Sequence, residues 1–136
     1  MAYPKSPTET EGGLVWVPRM LDKARLMQSS DLSEDYHKNL GAGHDGRCCN
    51  FLHVDYEDVK QKVADGLSDA EILEWCFENG HKPSELETEL WNGFMTKLGW
   101  SDKASDFLAS RKETYGMANR DDIQTLYHLM DADEER

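Results

Sequence analysis

The sequence most obviously lacks long apolar runs. No stretch approaches the ~18 consecutive apolar residues that a transmembrane helix needs, so we predict no membrane partner. Residues 1–13 are polar and lack the apolar centre of a secretory signal, so we expect a cytoplasmic protein. The apolar fraction of 38% still allows a 136-residue chain to bury a substantial core.

Basic charge and cysteine are also scarce. Fifteen Lys and Arg residues face 27 Asp and Glu residues, giving a net charge of −12. Binding to phosphate backbones needs basic clusters, so nucleic acid is not a predicted partner. The three cysteines, Cys48, Cys49 and Cys76, make a poor disulfide framework, and we expect reduced thiols.

Alternating strand patterns longer than four residues are absent too. Residues 14–17 are the best strand candidate, although they fit the beginning of a helix equally well. Two capping boxes, Ser68 with Glu71 and Ser84 with Glu87, mark helix starts. We predict an all-α fold: a compact bundle of six to seven short helices without a significant sheet. Residues 1–11 are predicted to be a flexible tail, and residues 12–136 a single helical domain.

The first helix is predicted to carry Pro18 in its first turn and an apolar face. Its other face carries Arg19, Asp22 and Lys23, which lie at spacings that bring side chains together. These residues either bind an anionic ligand, with Asp22 orienting Arg19, or pair among themselves. Farther along the chain, four aromatic residues at helical spacing are predicted to lie in the core: Trp75, Trp91, Phe94 and Trp100.

Acidic residues are unevenly distributed. Residues 65–89 contain eight carboxylates and one lysine, whereas residues 19–47 contain five basic and five acidic residues. The N-terminal third is therefore locally neutral, which makes it the best place for an anionic ligand. The acidic 65–89 surface suits a basic protein partner.

A glycine-rich loop at residues 36–47 is the second candidate site. Gly41, Gly43 and Gly46 match the spacing of the dinucleotide-binding fingerprint, but a polar loop precedes them where that fingerprint needs a strand. Glycines before a helix N-terminus can still turn backbone N–H groups towards an anion, with Arg47 in the first turn. The alternative is a turn whose glycines supply positive φ angles.

Histidines and thiols supply the remaining candidates. Tyr36 and His37 could transfer protons near neutral pH, or they could simply pack the loop. Four further residues, His44, Cys48, Cys49 and His53, form two pairs at helical spacing. Adjacent helical positions point about 100° apart, so the two pairs do not converge on one ion. We therefore predict no metal site and no cofactor.

Several unlike motifs occur in a characteristic order. They are residues 12–25 (GGLVWVPRMLDKAR), residues 36–41 with 45–48, residues 71–76 (EILEWC) and residues 91–94 (WNGF). Together they resemble a bacterial family catalogued as domain of unknown function number 5069. The resemblance implies a small helical cytoplasmic protein, but it implies no activity and no site residues.

The function that best fits these observations is binding, with or without turnover, of a small anionic molecule. The pocket would lie between the first helix and the 36–47 loop. Its predicted ligand-binding residues are Arg19, Lys23, Gly41, Gly43, Gly46 and Arg47, and its catalytic candidates are Tyr36, His37 and Asp22. The alternative is a non-catalytic interaction module or a homodimer with an acidic surface.

Overall fold

The computed structural model describes residues 2–136, so Met1, part of the predicted tail, lies outside the described residues. The predicted all-α fold is confirmed: a short hairpin precedes seven α-helices, and a 3-10 helix, Glu34–Asn39, separates the first two. The hairpin strands are β1 (Thr10–Glu11) and β2 (Leu14–Val15). The helices are α1 (Val17–Gln28), α2 (Gly43–Leu52), α3 (Tyr56–Ala64), α4 (Asp69–Asn79), α5 (Glu85–Lys97), α6 (Ser105–Thr114) and α7 (Leu126–Asp133).

Side chains just outside two helices fix where those helices begin. The Ser68 hydroxyl accepts the Glu71 N–H at the start of α4, and Glu71 accepts the Ser68 N–H in return. Ser84 and Glu87 repeat this exchange at α5. Both predicted capping boxes are thus confirmed, because the backbone donors of a first turn have no partner within the helix.

The ambiguous segment 14–17 serves as both a strand and a helix start. Leu14 and Val15 pair antiparallel with β1, and α1 begins two residues later at Val17. The Trp91 indole N–H donates to the Val15 carbonyl at 3.0 Å, and the Asn92 side chain accepts the Val15 N–H at 3.0 Å. These bonds fasten α5 to the hairpin and satisfy the outer edge of β2.

Helix α1 lies at the centre of the main core. Its residues Val17, Met20, Leu21 and Ala24 are almost fully buried. The main core also includes residues of the hairpin and of helices α2 to α5, and Tyr127 of α7. A smaller cluster joins α6 to α7 through Leu98, Leu108, Ile123, Leu126 and Leu129. Among the described residues, no helix has the length and apolar character needed to cross a bilayer.

The starts of three further helices depend on the turns that precede them, and the first of these corrects a prediction. Helix α2 begins at Gly43 rather than Arg47, so the glycine-rich segment is itself partly helical. Helix α6 begins at Ser105, because the Asp102 carboxylate accepts the Gly99 and Ala104 N–H groups in a turn. Helix α7 begins after Thr125, whose hydroxyl accepts the His128 N–H at 3.1 Å.

The predicted tail, residues 1–11, packs against the helices over part of its length. Pro4 and Pro7 are fully buried. The Lys5 N–H donates to Asp22 at 2.9 Å, and the Ser6 hydroxyl donates to Asp131 at 3.0 Å. Composition alone suggested a loose segment, but its Lys5 N–H and Ser6 hydroxyl find partners on α1 and α7.

A close backbone approach at Gly80 leads to a first prediction. A Cβ atom there would lie 2.2 Å from the Leu52 carbonyl oxygen and 2.8 Å from that of His53. We expect Gly80→Ala to lower the free energy of unfolding by at least about 2 kcal/mol, because backbone atoms must shift to make room. Urea unfolding followed by circular dichroism measures this change.

Gly93→Ala is the matched control, since a Cβ at Gly93 would meet no atom within 4 Å. At low protein concentration, we expect Gly93→Ala to leave the free energy of unfolding unchanged or to raise it by up to about 1 kcal/mol, because alanine is the better helix former. Equal effects of the two substitutions would contradict the close approach at Gly80.

Candidate functional site

A cleft of about 960 Å³ opens between α1, the 3-10 helix and the C-terminal helices. One wall lies where the sequence predicted a pocket, between the first helix and the 36–47 segment. The opposite wall belongs to α6 and α7 and was not predicted. The lining includes Tyr3, Trp16, Arg19, Lys23, residues 33–39, residues 42–44, Phe107, Arg111, Tyr115, Leu126, Leu129, Met130, Asp133 and Glu134.

Arg19 at the base of the cleft is paired with a carboxylate near the end of the chain. Its guanidinium donates two hydrogen bonds to Glu134, at 2.8 and 2.6 Å, and a third to the Lys5 carbonyl at 2.9 Å. Only 3% of each of Arg19 and Glu134 is exposed. Burial alone would raise the pKa of Glu134, but hydrogen bonds from Arg19, Tyr36 and Arg136 hold it below its usual value.

Lys23, one turn farther along α1, forms a second buried ion pair. Its ammonium lies 3.0 Å from a carboxylate oxygen of Asp45, which is completely buried. Burial lowers the pKa of Lys23, and the adjacent Asp45 charge partly offsets this effect. Asp45 also accepts the Gly41 N–H at 3.2 Å, so the turn before α2 closes onto the same carboxylate.

Trp16 joins the two ion pairs. Its indole N–H donates to Asp45 at 2.8 Å, and its ring lies 5.5 Å from the Arg19 guanidinium and 5.1 Å from the Lys23 ammonium. Trp16 has a φ angle of 77°, a left-handed conformation that costs a bulky residue energy. Burial of the ring and its bond to Asp45 hold it there. The side chain is thereby placed on the cleft.

The predicted anion-binding residues separate into two groups. Arg19, Lys23 and Gly43 line the cleft, but both cations are already neutralised by carboxylates. Gly41, Gly46, Arg47 and Asp22 do not line it. The prediction that Asp22 orients Arg19 was wrong, because Asp22 accepts the Lys5 N–H and Glu134 holds Arg19.

The glycines pack the turn before α2. A Cβ at Gly41, where φ is +73°, would lie 2.7 Å from the Tyr56 ring, and one at Gly46 would lie 3.2 Å from the Gly41 carbonyl oxygen. The first turn of α2 already contains the buried carboxylate of Asp45. An anion-binding helix N-terminus is therefore disfavoured here, because a negative charge occupies it.

Arg47 lies on a different surface from the cleft. It sits in the second turn of α2, since the helix begins at Gly43, and its guanidinium lies 5.3 Å from the centre of the Phe94 ring of α5. Its placement as a first-turn ligand residue was therefore wrong. The helix boundary, moved by four residues, is the reason.

The two residues proposed for proton transfer occupy the 3-10 helix at the cleft. The Tyr36 hydroxyl donates to Glu134 at 2.7 Å, and burial together with this carboxylate raises the pKa of Tyr36. His37 is exposed, and its ring nitrogen lies 3.1 Å from the Leu32 carbonyl oxygen. Tyr36 thus holds its proton firmly, and among residues 2–136 no carboxylate pairs with the His37 ring.

His44 is a cleft residue whose environment the sequence did not reveal. Its ring meets Trp16 edge-on, with centroids 4.8 Å apart. Burial lowers the pKa of His44 to about 4, and the nearby cations Arg47, Lys23 and Arg19 act in the same direction. The imidazole is therefore neutral at physiological pH and can accept a hydrogen bond through one ring nitrogen.

Sequence reasoning missed most of the far wall. Tyr3, Phe107 and Tyr115 line the cleft although 45%, 50% and 43% of their surfaces are exposed. Arg111, also on this wall, lies with its guanidinium 5.0 Å from the Phe107 ring centre. Phe107, Arg111 and Tyr115 are spaced by four residues, so the sequence could have indicated that they share one helix face. The sequence could not have indicated that this face lies opposite α1.

The four His and Cys candidates for metal binding do not come together. His44 packs on Trp16, whereas the His53 ring stacks on His81 at 4.7 Å. Among residues 2–136 no three His, Cys, Asp or Glu side chains are grouped as metal ligands would be. Cys48, Cys49 and Cys76 are buried free thiols, and burial raises the pKa of Cys49 to about 12.

Comparison with known protein families gives one match. The profile of the family described as Domain of unknown function (DUF5069) matches residues 1–136, the whole chain. The chain belongs to the DUF5069 family. No match to a curated protein was found. The family resemblance drawn from the sequence motifs is therefore confirmed, and this DUF5069 protein must be understood from its own residues.

The buried ion pair at the cleft base leads to a second prediction. Glu134→Gln keeps the side-chain shape but leaves the Arg19 guanidinium buried without a counter-charge. We expect the free energy of unfolding to fall by about 3–5 kcal/mol. Chemical denaturation at pH 7 measures the change.

Asp122→Asn is the control for this substitution, because it breaks the surface pair of Asp122 with Arg120, whose side chains are about half exposed. Its expected cost is small, because solvent screens an exposed ion pair. A Glu134 variant as stable as this control would show that the buried pair contributes little.

The neutral His44 ring leads to a third prediction, for pH dependence. Its folded pKa of about 4 lies below its value near 6.5 in an unfolded chain, so the unfolded state binds more protons between these values. Stability from this residue is complete above pH 6.5 and is lost as the pH falls towards 4. Relative to His44→Phe, the wild type should lose about 2 kcal/mol of stability between pH 7 and pH 5.

Urea denaturation at the two pH values gives this difference directly, because carboxylate titrations are common to both proteins and cancel. Identical pH profiles for the wild type and His44→Phe would refute the assignment of a depressed pKa.

Proposed function

We propose that the cleft binds a small organic molecule that has a planar ring and a single anionic group. One observation carries the proposal: the exposed aromatic side chains of Tyr3, Phe107 and Tyr115 gather on the walls of the same cleft. Large aromatic groups left in contact with water are most easily understood as surfaces for a ligand. Trp16 and Tyr36 add two more rings to the lining.

The size of the cleft is compatible with such a ligand. Its volume of about 960 Å³ lies at the upper end of the range of roughly 300–1,000 Å³ that is usual for small-molecule sites. The buried ion pairs at its base hold the walls in place without a ligand. A preformed site loses less entropy on binding than one that must be ordered.

Arg111 is the residue best suited to the anionic group. It has no carboxylate partner within hydrogen-bonding distance among residues 2–136 and stacks beside Phe107. A guanidinium can donate two parallel hydrogen bonds to a carboxylate or a phosphate. Lys38, exposed on the 3-10 helix, is a second available cation.

The charge of the lining favours a ligand with little net charge. Four cationic and four carboxylate side chains line the cleft, and two of the cations are neutralised within the protein. Burial and the neighbouring Glu134 raise the pKa of Asp133. A multiply charged anion would be repelled by the other carboxylates of the lining, Glu34, Asp35 and Asp133.

Binding without turnover is what the polar groups support best. The Tyr36 hydroxyl is held by Glu134, and the neutral His44 ring can serve as an acceptor for a ligand hydroxyl or amide. Neither group is activated for proton transfer near neutral pH. The proposal therefore concerns recognition by stacking and a charge-assisted hydrogen bond.

A thermal-shift experiment provides the fourth prediction. Its probes are a cyclic nucleoside monophosphate and an aromatic carboxylate, each with one negative charge, compared with the free nucleoside, inorganic phosphate and acetate. We expect at least one probe carrying both a ring and an anion to stabilise the protein more than either part alone. A probe at one hundred times its Kd would contribute about 2.7 kcal/mol.

Phe107→Ala and Arg111→Ala should each abolish that stabilisation. Trp100→Ala and Arg120→Ala are matched controls, because both residues are exposed and lie outside the cleft lining. If no probe shifts the melting temperature, or if the shift survives both cleft substitutions, the proposal fails.

A further inference from the structure

Helix α5 presents an apolar stripe to solvent. Leu86, Leu90 and Phe94 lie four residues apart on one helix face and are 62%, 61% and 41% exposed. The opposite face carries the buried residues Trp91 and Met95. The sequence predicted a core position for Phe94, but α5 is apolar on both sides, and only one side meets the rest of the chain.

A glycine in the middle of this stripe is unexplained by the chain's own packing. Gly93 lies three residues after Leu90 on the same face, and a Cβ there would meet no atom within 4 Å. Its φ angle is not in the left-handed region, so the backbone does not require glycine either. Glycine inside a helix lowers its stability relative to alanine. A close approach by the backbone of another helix would account for it.

The charges around the stripe differ between its two ends. Glu85, Glu87 and Glu89 surround its N-terminal half, whereas Lys97 ends the helix and Arg47 lies over Phe94. Lys97 is paired with Asp102 at 3.2 Å. Arg47 has no carboxylate partner in the described part of the chain, and one of its buried guanidinium nitrogens lacks any hydrogen-bond acceptor there.

From these three observations we infer that α5 is the interface through which two copies of this chain associate, with their α5 helices packed antiparallel about a two-fold axis near Leu90. In this arrangement Leu86 of each copy meets Phe94 of the other. The acidic half of each helix faces the Arg47 end of its partner, so opposite charges meet twice. Gly93 allows the two backbones to approach closely, as small residues do at helix crossings.

A second copy of the chain suits this surface because the stripe is acidic at one end and basic at the other. A parallel arrangement, or a uniformly basic partner, would leave Arg47 beside another cation or unpaired. Self-association about a two-fold axis satisfies both ends with a single type of contact. The interface is independent of the cleft, because none of its residues lines that site.

Size-exclusion chromatography with light scattering tests the inference. The wild-type chain is expected to show twice its 15.6 kDa mass, with a monomer appearing on dilution. Leu90→Glu should give a monomer at every concentration, because a carboxylate at the two-fold axis would face its symmetry mate. Met27→Glu, at an exposed apolar residue on α1, should leave the dimer intact.

Gly93→Ala distinguishes an effect on dimerisation from an effect on folding. We expect it to raise the melting temperature of the diluted monomer, as a better helix former, while weakening dimerisation at least tenfold in Kd. Circular dichroism checks that Leu90→Glu remains folded, and Leu86→Gln replaces it if it does not. A wild type that stays monomeric at about 1 mM, or a dimer that survives both leucine substitutions, overturns the inference.

Discussion

Two buried ion pairs on one face of α1 organise the structure. Arg19 binds Glu134 near the C-terminus, and Lys23 binds Asp45 at the start of α2. Each cation is buried, so each needs its carboxylate to offset the cost of removing its charge from water. The pairs therefore fix the positions of α2 and the C-terminal residues relative to α1, and the cleft is the space that remains between these elements.

This arrangement changes the functional meaning of the basic residues on α1. A locally neutral sequence segment suggested cations available to a ligand, but two of these cations, Arg19 and Lys23, are already paired with buried carboxylates. Arg19 and Lys23 shape the base of the cleft, and in the proposed function the aromatic rings of the far wall and Arg111 recognise the ligand. Trp16 connects both roles, since it bonds to Asp45 and also contributes its ring to the cleft.

Local features of the fold were predictable, whereas pairings distant in sequence were not. Ser68 and Ser84 cap their helices through residues three positions away, so the sequence contains the whole interaction. Glu134 lies 115 residues from Arg19, and nothing in the local pattern selects it from the acidic C-terminal end. Asp45 lies within a glycine-rich segment whose spacing matches the dinucleotide-binding fingerprint, and nothing in that pattern indicates a partner for Lys23. Helical periodicity likewise identified the apolar residues of α5 but not which of its two sides is buried.

The central claim is that the cations of α1 are structural, each coupled to one buried carboxylate. A double-mutant cycle with Lys23→Met and Asp45→Asn, measured by urea unfolding at pH 7, tests it most directly. The single side-chain oxygen of asparagine can still accept the Trp16 N–H, and the loss of the Gly41 contact is common to both Lys23 backgrounds, so the cycle isolates the interaction with Lys23. We predict a coupling free energy of about 2 kcal/mol or more. Substitutions whose effects add to within about 0.5 kcal/mol would contradict the claim.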